Sequence, residues 1–518
     1  MAIKRTILDC YTDEPAGLGV PPFIGVWPRY AAGLYEDEPT YLTIDDIRLV
    51  RYVECVPEVV IDPLHGRTHL EVLNHTRSYE EIRRVLENTD ELVIIVGVQT
   101  PGKYLSARPG TLHEVEKLLR SFEEGGQRTE DRGLMAEDGA VLRSPSSVLR
   151  KVLTGPVLTG GTQARGGARP QVADAEYFDE LRPLAFDTYD QLQPLALKGA
   201  SFIGQMPRLA TRIVEIETGR GCPRERGCSF CTEPIKNKVH WRRPELVVEE
   251  VKALMGFGAK AFRLGKQSCI YSYEGGDHQK LEAMLSGLAA MRPTVLHIDN
   301  ANPQMIDERR TELFVKYLTP GSTAAMGIES FDPRVTAANN LNCSYDMAFE
   351  AIRTVNRIGG FRGENGCHAL LPGINILLGL AAETPETLDK NFAALKQIMD
   401  EGLLIRRINI RRVVPFPGTP LFQQVGRRFL RKNMRYYVDW IEKVRQEIDI
   451  PMLQRLFPVG TVLKDLCSEV HNGHMTFLRQ IGSYPIVVGI HERLPLNEFI
   501  DARITGYQRR SLIAERVT

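Results

Sequence analysis

The chain has 518 residues, too many for one ordinary hydrophobic core, and this length predicts two to four domains. It is 43% hydrophobic and 25% charged, and 65 Lys and Arg residues balance 65 Asp and Glu residues, which excludes a global preference for nucleic acid. No apolar run is long enough to span a bilayer, and no secretory signal follows Met1, so we expect a cytoplasmic protein without membrane contact.

The first predicted elements are short apolar runs separated by helical stretches. The runs that predict strands are Thr6–Leu8, Ile47–Val50, Leu92–Val98 and Ala140–Leu153. Strands that alternate with helices predict a parallel, doubly wound sheet. We therefore expect residues 1–200 to form a Rossmann-like α/β domain with a linker.

A more regular pattern begins at Arg212, where six strand candidates alternate with amphipathic helices. They are Ile213–Glu217, Ala261–Gly265, Val295–Asp299, Thr323–Ile328, Gly373–Gly379 and Ile405–Val414. Five crossovers of this kind predict a partial (β/α)6 barrel, with functional groups where strands give way to helices. We assign residues 201–455 to this barrel and a helical extension after Pro420.

The last segment, residues 456–518, has shorter strand-like runs separated by turns such as Asn472-Gly473. The runs are Thr461–Leu463, Met475–Leu478, Pro485–Ile490 and Phe499–Ile504. This spacing predicts a small antiparallel β-barrel. The fold class is therefore α/β, with a partial barrel between a doubly wound domain and a small β-barrel.

Nine cysteines include one close trio, Cys222, Cys228 and Cys231, directly after the first barrel strand candidate. Three thiolates from one loop can bind three irons of a cubane cluster and leave the fourth iron open for a small ligand. A structural zinc site is the main alternative, but zinc needs four ligands, and His240 is the one candidate we see for the fourth. A disulfide is a further alternative, disfavoured in a reducing compartment.

The residues that follow the trio resemble motifs of the radical S-adenosylmethionine (SAM) superfamily. Phe230, just before the third cysteine, occupies the position that the family uses beside the adenine. Strand four ends in Met326–Ser330, similar to the family element near the SAM ribose and methionine. Strand five ends in Gly379–Thr384 and strand six leads into Pro415–Leu421, both similar to turns of the same superfamily. Four motifs in order at successive strand ends identify the chain as a member.

The resemblance implies a [4Fe-4S] cluster on the cysteine trio and SAM on its open iron. It also implies further cofactor contacts from Phe230, Gly265, Lys266, Gln267, Glu329, Ser330, Gly379 and Arg411. The sequence departs from the family in two places. Five residues separate the first two cysteines where the family usually has three, and strand two lacks the Gly-Gly-Glu that meets the SAM amino group in many members.

Two flanking resemblances concern the terminal domains. Asp9–Tyr11, Gly17–Pro22 and Tyr30–Leu34 resemble a cobalamin-binding-type domain, although the cobalt-ligand motif D-x-H-x-x-G is absent. This implies either bound cobalamin without a protein ligand to cobalt or the same fold without a cofactor. Val459–Val462 and Phe499–Ile504 resemble the RNA-binding TRAM module, which implies RNA, such as tRNA, as a partner.

These features together predict an enzyme that cleaves SAM reductively to a 5′-deoxyadenosyl radical, with its electron from a one-electron reductase or ferredoxin. The expected reaction is methylation or another modification of RNA or a macromolecular substrate. A methylthiolation-like reaction is an alternative, although no second cysteine trio is present for an auxiliary cluster. The contrasting hypothesis is a non-catalytic, metal-stabilised RNA-binding protein.

Overall fold

The computed structural model describes residues 3–14, 17–55, 74–97, 104–120, 149–160, 163–164, 167–168 and 177–517. The chain forms two compact units, Met1–Ala210 with Ala253–Gly258, and Thr211–Lys252 with Ala259–Thr518. Residues 140–148 of the predicted fourth strand lie outside the described ranges. Within those ranges, no helix has the length and apolar character needed to cross a membrane.

The first unit contains a parallel five-stranded sheet. Its strands are β1 Arg5–Asp9, β2 Thr40–Thr43, β3 Glu91–Ile95, β4 Arg150–Thr154 and β5 Glu180–Leu181. Its helices are α1 Trp27–Ala32, α2 Ile44–Cys55, α3 Tyr79–Glu87, α4 over residues 112–120, α5 Val157–Gly160 and α6 Tyr189–Lys198. The strand order β5-β4-β3-β1-β2 is that of flavodoxin-like folds, so the predicted doubly wound sheet is confirmed.

One strand of this sheet was predicted at the wrong place. The apolar run Ile47–Val50 lies in α2, and the second strand is the more polar Thr40–Thr43. Ile44, Ile47 and Val50 are spaced as one face of a helix and are buried in the core of the unit. A run of four apolar residues does not distinguish a strand from the buried face of a helix.

The second unit contains an arc of parallel strands. They are β6 Ile213–Glu217, β7 Ala261–Gly265, β8 Val295–Ile298, β9 Asn300–Ala301, β10 Ser322–Glu329, β11 Leu370–Leu378 and β12 Arg407–Arg412. Pairing runs β6-β7-β8 and β9-β10-β11-β12. The predicted third strand, Val295–Asp299, thus ends at Ile298, and β9, which follows Asp299 and was not predicted, pairs with the other half of the arc.

Ten helices of the described chain accompany this arc. They are α7 Glu233–Lys236, α8 Pro244–Gly256, α9 His278–Ala290, α10 Glu308–Tyr317, α11 Pro333–Ala338, α12 Tyr345–Gly359, α13 Pro385–Asp400, α14 Pro420–Gln424, α15 Arg428–Val444 and α16 Ile450–Leu456. The long ones alternate with the strands as expected, and α8 begins at the predicted Pro244.

A closed five-stranded barrel ends the chain. Its strands are β13 Val462–Asn472, β14 Met475–Gln480, β15 Val487–Ile490, β16 Phe499–Tyr507 and β17 Ser511–Arg516. The closure order is β13-β14-β15-β17-β16, and β15 pairs with β17 in parallel. The predicted small barrel is confirmed, but its fifth strand and this parallel pair were not predicted. The predicted domain boundaries stay predictions.

The loop between β14 and β15 enters the partial barrel. The Ser483 N–H donates to His297 Nδ1 at 3.1 Å, and the Tyr484 hydroxyl donates to Asp299 Oδ1 at 2.6 Å. Arg406, just before β12, donates to the Tyr484 carbonyl at 2.5 Å. We call residues 482–484 the floor loop, because they link β8 to the start of β12 inside the arc.

Candidate active site

The cysteine loop, residues 218–232, leaves the carboxyl end of β6. A Cβ atom on Gly219 would lie 2.5 Å from the Trp241 ring, and one on Gly221 would lie 2.5 Å from the Lys238 carbonyl oxygen. Gly221 also has a φ of 80°, a conformation that side chains other than glycine rarely adopt. Glycine at these two positions lets the start of the loop lie directly on the segment around His240.

The three thiols of this loop are half-buried and close enough for their charges to interact. Burial raises the pKa of Cys228 to about 11 and that of Cys231 to about 12. Arg224 opposes this at Cys228, since its Nη1 donates to the sulfur at 3.2 Å. The free protein therefore keeps the thiols of Cys228 and Cys231 protonated, and metal binding releases their protons.

The donor set fits a cubane cluster. No group of three or more His, Cys, Asp or Glu within the described ranges is arranged to hold a metal ion, so no fourth protein ligand joins the thiols as a zinc site would require. His240 pairs with Arg220 in a short two-stranded ribbon, and the structure does not bring it to the trio as a fourth ligand. Three thiolates that each bind a different iron, with one iron left open, need no such ligand.

A buried amide, Asn339, fixes the cysteine loop to the rest of the barrel rim. Its Oδ1 accepts hydrogen bonds from the Ser229 hydroxyl at 2.7 Å and the Ala381 N–H at 3.1 Å. Its Nδ2 donates to the carbonyls of Ala381 at 3.0 Å and Val335 at 2.8 Å. The loop is therefore connected both to α11 and to the turn after β11.

The predicted cofactor residues at three strand ends share an unusual backbone. Lys266 after β7, Glu329 at the end of β10 and Gly379 after β11 have φ values of 67°, 64° and 91°. Such conformations cost energy for residues with side chains and are concentrated at functional sites. Two of the three predicted cofactor residues, Lys266 and Glu329, therefore have a strained backbone.

The residues after β7 include an unsatisfied acceptor. Gln267 is fully buried, its Nε2 donates to the Leu264 carbonyl at 3.4 Å, and its Oε1 has no hydrogen-bond partner within the described structure. Gly265 leaves no room for a side chain, because a Cβ there would lie 2.3 Å from Glu215 Oε1. A buried acceptor without a donor is a feature that a bound ligand would explain.

Glu329 and Ser330 have different roles although they are adjacent. Burial raises the pKa of Glu329 to about 8, opposed by the charge of Arg411, and its carboxylate lies close enough to act on Cys228. The Ser330 hydroxyl donates to Asn391 Oδ1 at 3.3 Å and accepts the Asp332 N–H at 3.2 Å. Glu329 thus faces the cysteine loop. The Ser330 hydroxyl, in contrast, is already hydrogen-bonded within the protein.

The turn after β11 is held by hydrogen bonds from residues of α15 that belong to no recognised sequence motif. The Gly379 N–H donates to Glu383 Oε2 at 2.9 Å, and Asn433 and Tyr437 from α15 both donate to the other carboxylate oxygen. A Cβ on Gly379 would lie 2.8 Å from Leu430. Helix α15 therefore packs directly beneath the rim.

Phe230 lies in an apolar wall beside the thiols. The wall contains the buried residues Val335, Leu341, Leu380, Val413 and Leu421, with Cys228 and Phe230 packed against them. It joins residues that follow β10, β11 and β12. Such a wall excludes water from one side of the thiols.

Most of the segment Tyr30–Leu34, which resembles part of a cobalamin-binding-type domain, is buried, although Leu34 is exposed. Tyr30, Ala31 and Ala32 lie in α1, which approaches α6 so closely that a Cβ on Gly33 would lie 2.1 Å from the Leu195 carbonyl oxygen. Cys10 is fully buried. A ligand of this unit would instead be expected at the carboxyl ends of β1 and β3, the switch point of the sheet.

Comparisons with known proteins agree with this site. Residues 216–377 match the model of the Radical SAM superfamily. The chain is 38% identical to "Uncharacterized protein MJ0274" of Methanocaldococcus jannaschii, covering 99% of this chain and 93% of that protein. It is 35% identical to an uncharacterized protein of Archaeoglobus fulgidus, covering 99% and 90%.

A solved structure is similar in fold alone. The methyltransferase TsrM of Kitasatospora setae, with cobalamin and a [4Fe-4S] cluster bound, aligns with a TM-score of 0.39 and 15% identity, over 81% of this chain and 74% of that one. The thiol trio, the barrel and the superfamily match define a radical SAM enzyme whose cofactors are a [4Fe-4S] cluster and SAM. The chain belongs to one family with the proteins of M. jannaschii and A. fulgidus.

Proposed function

We propose that this enzyme cleaves SAM reductively to a 5′-deoxyadenosyl radical and uses it to modify RNA. The observation that carries the first part is the connection of the thiol loop, through Asn339, to the strand ends where the SAM residues are expected. When bound, the cluster supplies the electron that breaks the S–C5′ bond of SAM.

The residues of the chain supply binding, orientation and water exclusion. Gln267 Oε1, the unsatisfied acceptor, would receive a hydrogen bond from the SAM ammonium. Glu329 would accept hydrogen bonds from the ribose hydroxyls or the ammonium of SAM, and Arg411 would form an ion pair with a carboxylate. Phe230 and its apolar wall would pack beside the adenine and keep water from the reactive carbon.

The decisive assay is SAM cleavage. The full chain is reconstituted anaerobically with iron and sulfide and is then given dithionite and SAM. We expect 5′-deoxyadenosine among the products. Well-reconstituted protein that makes none would refute the enzyme and favour the non-catalytic, metal-stabilised RNA-binding protein.

RNA as substrate is supported by the exposed face of α15. Four cations lie on this face without a carboxylate partner in the described part of the chain: Arg428, Arg431, Lys432 and Arg435. The opposite face is buried and packs under the Gly379 turn, so the cations project into solvent from the helix that supports this turn. A row of unpaired cations suits the phosphates of a polynucleotide. The C-terminal barrel, proposed to be TRAM-like, would extend this surface.

Point variants test RNA binding. Exchange of Arg428, Arg431 and Lys432 for Gln should weaken tRNA binding roughly tenfold or more. The slope of the logarithm of the binding constant against the logarithm of the salt concentration should become shallower by about two. The control neutralises three exposed cations elsewhere, Lys260, Arg292 and Arg309. Equal loss in both triple variants, or no loss in either, would refute the α15 surface.

Methylation with cobalamin is a separate part of the proposal. The flavodoxin-like strand order supports it, because folds of this order bind ligands at the switch point. Glycine at 155 is required there, since a Cβ would lie 2.7 Å from the Val96 carbonyl oxygen. Incubation with hydroxocobalamin followed by gel filtration should leave corrin absorbance on the protein. Protein without corrin absorbance would refute cobalamin-dependent methylation and leave another RNA modification as the proposed reaction.

The electron donor and the compartment complete the proposal. A one-electron reductase or ferredoxin would reduce the cluster in the cytoplasm. All eight cysteines within the described side chains are free thiols, as a reducing compartment requires. Ferredoxin in place of dithionite should support 5′-deoxyadenosine formation; failure with every cellular one-electron donor tried would contradict this choice of partner.

A further inference from the structure

The last strand of the arc presents a row of donors to the lumen. Three residues of β11 pair with three of β12 on the same face of the sheet: Gly373, Asn375 and Leu377 with Arg407, Asn409 and Arg411. Leu377 packs against the apolar wall around Phe230, which identifies this face as the lumen side. Asn409 Nδ2 donates to Asn375 Oδ1 at 3.1 Å across the pair.

Most of the charge in this lumen is balanced. Arg263 is ion-paired with Glu215 at 2.5 Å and lies 3.7 Å from Asp299. Arg411 lies close enough to Glu329 for its charge to oppose the effect of burial on the pKa of that carboxyl. Arg407, at the start of β12, has no ion pair within the described residues.

The surroundings of Arg407 do not compensate its positive charge. Its Nε is buried without a hydrogen-bond partner among the described residues, and its guanidinium carbon lies 5.3 Å from the centre of the Tyr484 ring of the floor loop. Burial and the positive charges of Arg510, Arg411 and Arg406 lower the pKa of Arg407 to about 10.

The carboxylate in this region does not balance these charges. Asp449 lies near Arg407 and Arg510, but it is ion-paired with Arg445. Arg406 and Arg407 are half-buried, next to the exposed Arg411 and Arg510. Like charges held close together destabilise one another, and a bound anion removes this repulsion.

We propose that Arg407, with Asn409 beside it, binds an oxyanion of the substrate, a phosphate or a carboxylate group, deep in the barrel lumen. The guanidinium fork offers parallel N–H donors that match either group. The floor loop contributes by packing Tyr484 against the guanidinium, so the C-terminal barrel helps to form the subsite. This inference rests on the proposed function for its identification of the ligand as substrate.

The test measures oxyanion binding to the reconstituted full chain by calorimetry, without SAM or reductant. Three probes distinguish the sources: dimethyl phosphate for a polynucleotide backbone, inorganic phosphate for a phosphate monoester, and acetate for a carboxylate. We expect at least one to bind with one site per chain and to bind Arg407→Gln at least tenfold more weakly. Arg309→Gln, which changes an exposed arginine on α10, should bind as the wild type does.

The outcomes separate this inference from the proposed function. Wild-type protein that binds none of the probes, or Arg407→Gln that binds as tightly as wild type, would overturn the subsite. If Arg407→Gln does not fold, Asn409→Leu serves instead and should weaken the same probe. Protein that binds the oxyanion but does not cleave SAM would refute the proposed function and leave the oxyanion site in place.

Discussion

Individual side chains at the barrel rim show that the cysteine loop depends on more than its thiols. The trio, Phe230 and Glu329 stand in sequence patterns and could be predicted. Asn339, Asn433 and Tyr437 hold the loop and the Gly379 turn through contacts between residues far apart in the chain. A single asparagine at the end of a short helix carries no sequence signal for such a role, and neither does Arg407.

The first prediction concerns the cluster ligands. Replacement of Cys222, Cys228 or Cys231 by Ala should abolish iron loading, because each would remove one of three ligands. Cys467, buried in the C-terminal barrel, is the control, and Cys467→Ala should load iron normally. Iron content per chain after anaerobic reconstitution is the measurement. Full loading of any of the three variants would show that the ligand set is wrong.

The second prediction concerns His297 and pH. Burial lowers the pKa of His297 to about 4 from an ordinary value of 6.5. Between these values the unfolded chain binds a proton that the folded chain excludes, so stability is complete above 6.5 and falls as the pH drops. The loss reaches at most about 3 kcal/mol.

His297→Gln, which cannot take up this proton, provides the comparison. Its melting temperature should fall less steeply than that of the wild type between about pH 7 and about pH 5. Parallel curves for the two proteins would contradict the lowered pKa.

At the level of elements, the turns at the barrel rim are joined by the hydrogen bonds of one residue. Asn339 joins the cysteine loop, α11 and the turn after β11. Asn339→Ala would leave a hydroxyl and an N–H without acceptors, at a cost of about 1–3 kcal/mol each. We expect it to lower both the melting temperature and the iron content.

A matched control distinguishes local from general destabilisation. Asn356 joins α12 to the segment before β12, with hydrogen bonds to Ile352 and Leu404, away from the cysteine loop. Asn356→Ala should lower the melting temperature but keep the iron. Equal iron loss in both variants would show that Asn339 has no special role at the cysteine loop.

Prediction of elements from the sequence succeeded where the period was unambiguous. The strands Ile213–Glu217 and Ala261–Gly265 were predicted with the bounds observed, because each is a short apolar-rich run interrupted only by single charged residues. It failed at Ile47–Val50, where a short apolar run belongs to a helix. It also failed at Ser511–Arg516, where the alternation of apolar and polar residues is too short to predict a strand.

For the second unit as a whole, the C-terminal barrel and the partial barrel are not separable. Ser483 and Tyr484 are hydrogen-bonded to His297, Ile298 and Asp299 inside the arc. No sequence pattern predicted this, since the contacts span about 185 residues.

The fourth prediction follows from the floor loop. A chain truncated after Leu456 should lose SAM cleavage, because the lumen lacks its floor. It should also bind RNA more weakly, because the proposed RNA surface loses the C-terminal barrel. Tyr484→Ala should lower the 5′-deoxyadenosine yield severalfold. Tyr507→Ala, which removes a hydrogen bond to the Phe457 carbonyl outside the lumen, should not. A truncated chain that cleaves SAM at the wild-type rate would contradict a structural role for the loop.

The floor loop also affects the order in which the site is completed during synthesis. All strands of the arc and the three thiols leave the ribosome before Ser483 and Tyr484 are made. The nascent barrel therefore exposes its charged interior, including Arg263 and Asp299, until the last segment of the chain arrives. Completion of the catalytic chamber is thus coupled to completion of translation, and a chain that terminates early would carry the thiol loop in an unfinished chamber.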